Sequence, residues 1–198
     1  MFRFFFSVAE LRTLSTSVHA QSAGADSGSW DAGTSSNTVK APLQKIPVSP
    51  DGYTYEGLLA LGHAQYMAHN YAGATDQYEK ARILEPGKAL AYYFIGTVHA
   101  KQNRFQEALT ALRTAATVAG TKDINVHAKS LFFIAVVVER SGDLAQAKFA
   151  WADYLNSVAP NAISFPQVAT ERITTTENLE KEKAKYQIVR DRIANPPK

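Results

Sequence analysis

From Tyr55 onward, apolar residues recur at the three- and four-residue spacing of helices that bury one face. The pattern runs to about residue 161 in segments of helical length. Asn70 and Gly142-Asp143 read as turns followed by helix starts. Pro86 ends the helix before it, because proline cannot continue the hydrogen-bond ladder. Past residue 161 the pattern thins. Ser164-Phe165-Pro166 opens a short helix over 166–174, with proline in its first turn. A charged helix is expected over 177–193, with Leu179, Tyr186, Val189 and Ile193 as its apolar stripe. Asn195-Pro196-Pro197 stops it.

Aligned with itself, the chain repeats. Gly62 and Gly96 lie 34 residues apart, as do Leu61 and Ile95, Tyr71 and Phe105, Ala74 and Ala108, Tyr78 and Leu112, and Ala81 and Ala115. A third copy carries Leu131, Ile134, Ala135, Gly142, Leu144, Ala147, Trp151 and Tyr154 at an offset of 39, which places a five-residue insertion near Thr121–Asn125. Glycine and alanine mark the places where two helices approach closely, and the large apolar residues fill the space between successive pairs. One pair cannot bury its own apolar face, and about three are needed for stability.

These residues resemble the tetratricopeptide repeat, whose 34-residue unit pairs two helices. The first copy matches at Leu58, Leu61-Gly62, Tyr66, Tyr71, Ala74, Tyr78, Ala81 and Pro86, with Tyr66 one residue late. The second keeps Tyr92, Ile95-Gly96, Phe105, Ala108 and Ala115, and has Gly120 in place of proline. The third has Ala135 for the glycine and Tyr154 for the late alanine. The resemblance implies an all-α fold, a right-handed solenoid of antiparallel helix pairs. Three repeats are expected at 55–88, 89–122 and 128–161, followed over 162–198 by C-terminal capping helices and a tail. A coiled-coil partner helix is the alternative to the cap.

In this family the first helix of each pair lines a concave groove. That mapping implies a protein-binding groove of Leu59, His63, Tyr93, Phe94, Thr97, Lys129, Phe132, Phe133, Val136 and Arg140, with Ala60, Met67 and Lys101 on the same faces. One subset of the family clamps a terminal carboxylate with lysine, asparagine and arginine. The matching places here hold Leu59, His63, Phe94, Lys129 and Phe133, of which only Lys129 fits, so that ligand is rejected. What remains is an aromatic groove suited to apolar partner segments, unless the chain covers it with Leu43, Ile46 and Val48 or with its C-terminal helix.

Residues 1–20 read as a targeting segment. Arg3 and Arg12 are basic, Glu10 is the sole acid in the first 25 residues, and Phe2, Phe5, Phe6 and Ala9 share a helical face. This points to a mitochondrial presequence. A secretory or periplasmic signal is the alternative, on the apolar run of Phe4–Ala9 and the small residues near Val18-His19-Ala20. Residues 21–54 form a linker or arm, first rich in serine and glycine, then held extended by Pro42, Pro47 and Pro50.

Composition changes this picture little. The net charge is +3 over 198 residues, with no basic block, which gives no argument for nucleic acid as a partner. Without cysteine there is no disulfide, thiolate metal site or thiol nucleophile. No stretch approaches the length of a transmembrane helix. Phosphate-loop, nucleophile-elbow and H-E-x-x-H patterns are missing, and the histidines are scattered, so neither an enzyme nor a cofactor or metal is expected. Three functions follow: a structural or adaptor subunit of a larger, mitochondrial assembly; a transient peptide-recognition or assembly factor; and, on weaker grounds, an RNA-binding helical repeat.

Overall fold

The computed structural model describes residues 47–195; the expected targeting segment, most of the arm and the last three residues lie outside it. Among the described residues seven helices follow one another: α1 (Tyr55–Met67), α2 (Tyr71–Leu84), α3 (Ala89–Lys101), α4 (Phe105–Ala119), α5 (Ile124–Arg140), α6 (Leu144–Ser157) and α7 (Pro166–Ala194). Each packs on its neighbours in sequence, and α3 also meets α5. This is an α-solenoid of three antiparallel pairs closed by a seventh helix.

Local chemistry sets the helix starts. Thr54, Asn70, Asp123 and Asp143 each accept a hydrogen bond from a backbone N–H three residues on, at 2.9–3.2 Å. The turn inside each pair ends in the left-handed region, at His69 (φ 60°), Asn103 (φ 60°) and Gly142 (φ 87°). These three residues share one repeat position. Only the third copy fills it with the residue that carries no steric cost there.

The repeat spacing is a packing rule. A Cβ added to Gly62 would lie 2.4 Å from the buried Tyr78 ring. One added to Gly96 would lie 2.6 Å from Leu112 and 3.2 Å from the Ala108 carbonyl. Ala135 tolerates its Cβ at the third crossing, where Trp151 stands for Tyr78 and Leu112. Tyr154 stands where Ala81 and Ala115 lie fully buried, and its hydroxyl accepts from the Phe165 N–H at 2.7 Å. The large residues of the third copy therefore reach the closing helix, as the atypical end of an array should.

Three expectations need correction. The insertion before the third pair ends in helix: α5 begins at Ile124, one turn before the expected 128, capped by Asp123 and anchored by the buried Val126. The arm is not extended where it is described. Ser49 to Gly52 forms a tight turn that brings Val48 into a bridge with Thr54, and Asp51 pairs with Lys80 at 3.3 Å. The two expected C-terminal helices are one, Pro166–Ala194. Thr174, Thr175 and Thr176, which would otherwise mark a break, donate their hydroxyls back to the carbonyls of Thr170, Glu171 and Ile173.

The first half of α7 is fixed firmly. Ala169 and Thr176 are buried, and Ala169 packs with Trp151 and Tyr154. The Glu139 carboxylate pairs with the Arg172 guanidinium and accepts from Trp151 Nε1 at 2.9 Å, clasping α5, α6 and α7 together. Lys148 and Glu177 add an ion pair at 3.5 Å.

Candidate functional site

The first helices α1, α3 and α5 bring five of the ten expected groove residues into one continuous aromatic run. The His63 and Phe94 ring centroids lie 6.5 Å apart, Phe94 and Tyr93 5.5 Å, Tyr93 and Phe133 5.4 Å, and Phe133 and Phe132 6.2 Å. The near-perpendicular Tyr93–Phe133 pair is the edge-to-face geometry that ring quadrupoles favour. Phe94 also stacks on Tyr78 at 5.1 Å, which ties the run to the close crossing at Gly62. Phe132 meets Phe165 at 5.8 Å, so the start of α7 closes one end. The first half of α7 packs along α6.

The residues differ in what they can offer a partner. Leu59 and Tyr93 are buried, Tyr93 to 6% exposure, and belong to the core that supports the run. Their place on the face follows from helical spacing, but their burial follows from the size of their neighbours. His63, Phe94, Thr97, Lys129, Phe132, Phe133 and Val136 are half-buried, and Arg140 is exposed. The Thr97 hydroxyl donates to the Phe94 carbonyl at 2.8 Å. Arg140 donates to Asn103 Oδ1 at 2.8 Å and lies over the Phe105 ring, so it braces the neighbouring pair.

Helical spacing on the first helices gave no sign of two grooves on the other side. One, of about 400 Å³, runs between α2 and α4 and includes Glu79, Tyr92, His99 and Glu107. Burial, and then the charge of Arg104, hold the His99 imidazole below its ordinary pKa. The other, of about 530 Å³, lies between α4 and α6 over Leu131, Ile134 and Val138, with Phe149 69% exposed on its rim. Among the described residues no group of three histidine or carboxylate side chains is placed to hold a metal, and no helix is long and apolar enough to cross a membrane.

Solved structures match this arrangement. The tetratricopeptide domain of Sgt2 from Aspergillus fumigatus matches 77% of this chain over 89% of its own, at 18% identity and a TM-score of 0.53. The fold is that of the tetratricopeptide repeat. The first such domain of Spaghetti (RPAP3), bound to the HSP90 peptide SRMEEVD, matches 64% of this chain and 95% of its own, at 16% identity and a TM-score of 0.52. The Yersinia enterocolitica type III secretion chaperone SycD, in complex with a peptide of the translocator YopD, matches 65% and 93%, at 19% identity and a TM-score of 0.52. No protein-family model matches the sequence, and no curated protein matches it either.

Proposed function

We propose that this chain is a protein–protein interaction scaffold, a structural or adaptor subunit of a larger assembly, and that it takes an apolar segment of its partner along the face formed by α1, α3 and α5. The observation that carries this reading is the aromatic run from His63 to Phe132 across all three first helices. Its half-buried rings can give up their remaining water to a partner at little cost in side-chain entropy. On this reading the chain binds and does not catalyse. The mitochondrion is the proposed compartment, on the basic, acid-poor and hydroxyl-rich first 20 residues.

Transient peptide recognition is the second reading. It is favoured by the peptides bound in two structures of the same fold. The ligand would differ from the acidic SRMEEVD, because a carboxylate clamp is missing here: of the matching residues only Lys129 is basic. A permanent subunit co-purifies at fixed stoichiometry, whereas transient capture does not.

The test is affinity purification of the tagged full-length protein beside a Thr97→Glu/Val136→Glu variant, with mass spectrometry of both. Both positions are half-buried, and Val136 packs with Phe132 against the third core cluster, so thermal melting first checks that the variant keeps its fold. Loss of a defined set of partners from the folded variant supports the reading. Retention of the whole set overturns it.

A further inference from the structure

The solenoid uses only the first half of α7. Every residue from Lys181 to Ala194 is exposed, on all sides of the helix. Exposed large apolar side chains remain there: Tyr186, Ile188, Val189 and Ile193, with Leu179 just before them, and Tyr186 is 70% and Ile193 76% exposed. At 100° per residue Leu179, Tyr186, Val189 and Ile193 form one stripe, with Leu179, Tyr186 and Ile193 a heptad apart and Val189 between, while Ile188 stands alone on the opposite face. Lys183 and Arg190 border the stripe on one side, and Lys185 and Arg192 on the other. Of the acids, Asp191 lies opposite and accepts from Gln187 at 2.9 Å. Glu182 interrupts the stripe and is neutralised by Lys185 at 2.8 Å.

We propose that this half of α7 is a docking helix for an acidic amphipathic helix of another protein, with an apolar seam of about two heptads flanked by glutamate or aspartate. Fourteen residues without tertiary contacts gain little stability from helix propensity alone, so a partner that buries the stripe would complete the element. The stripe is as narrow as a helix–helix seam. A membrane-surface helix needs a broader apolar face. A second copy of this chain is disfavoured by charge. Lys183, Lys185, Arg190 and Arg192 occupy both flanks, so two such helices repel one another whether parallel or antiparallel.

The experiment uses the full-length protein and two labelled synthetic helices. Both carry isoleucine and leucine at the seam; one has glutamate at the flanking positions and the other lysine. In fluorescence anisotropy at low salt, the acidic probe is expected to bind on the order of tenfold more tightly than the basic one, with the gap closing as salt screens the flanks. Tyr186→Glu/Ile193→Glu is expected to abolish acidic-probe binding. Reversal of all four basic residues to glutamate is expected to invert the preference. All six positions are exposed, so the solenoid should melt unchanged and a binding loss can be read at the seam. Equal binding of the two probes overturns the proposal, as does acidic-probe binding that survives the seam variant. Two further results would also overturn it: binding to phosphatidylserine vesicles with no probe preference, or a sedimenting dimer dissolved by the seam variant.

Discussion

Gly62→Ala adds one methyl group where the account allows none. The new Cβ would lie 2.4, 2.7 and 3.0 Å from three atoms of the Tyr78 ring. To restore ordinary contact, the ring must retreat by about 1 Å. It has nowhere to go, because Tyr78 is 1% exposed and its ring stacks on Phe94. Overpacking of this kind costs about 1–3 kcal/mol, and the better helix propensity of alanine returns up to about 1 kcal/mol. The net loss is about 1–2 kcal/mol, or roughly 2–8 °C in melting temperature for a domain of this size. The assay is thermal unfolding followed by circular dichroism. Gly57→Ala is the control on the same helix, because its Cβ would meet nothing closer than 3.4 Å and should leave the melt unchanged or raise it. Trimming the ring in Gly62→Ala/Tyr78→Leu should recover part of the loss, since Leu112 already faces Gly96 in the second pair. A Gly62→Ala protein as stable as wild type would refute the argument that this crossing sets the repeat.

Glu139→Ala leaves the Trp151 N–H and Arg172 without their carboxylate, at a cost of about 1–3 kcal/mol; amide exchange should quicken over 166–176 and stay unchanged in α1 and α2. For His99, the folded pKa lies below the ordinary 6.5, owing to burial first and then Arg104, while Glu107, Glu79 and Gln102 pull the other way. The unfolded chain therefore takes up the proton first, so the contribution to stability holds above pH 6.5 and is lost as the pH falls through it. Urea midpoints at about pH 7.5 and 5.5 should show a smaller acid loss in His99→Gln than in wild type. At His69 (φ 60°), glycine should stabilise by about 0.5–1 kcal/mol and valine destabilise, read as a shift in the same midpoints.

The repeat was legible because close packing writes itself into residue size. Gly62 faces Tyr78, Gly96 faces Leu112 and Ala135 faces Trp151, each small residue paired with a large one at fixed spacing. The extra turn of α5 was hidden because Thr121-Lys122-Asp123 looks like loop, and only the burial of Val126 shows that the helix has begun. The unity of α7 depends on threonine hydroxyls that choose the carbonyls of their own helix, a choice the sequence leaves open. The expected groove residues fall on α1, α3 and α5, but the burial of Leu59 and Tyr93 depends on neighbours from other helices. The exposed stripe of α7 was read as part of a cap for the same reason: periodicity identifies an apolar face without saying what meets it.

A partner bound along the face formed by α1, α3 and α5 should be sensitive to charge placed on that face and indifferent to the other side. An apolar peptide selected on the wild-type protein should be titrated against wild type, against Thr97→Glu/Val136→Glu, and against Phe149→Glu on the groove between α4 and α6. The Thr97→Glu/Val136→Glu variant should bind at least about tenfold more weakly, a loss of roughly 1.4 kcal/mol, and Phe149→Glu should bind as wild type does. Weakening by Phe149→Glu alone would contradict this and move the site to the other side of the solenoid.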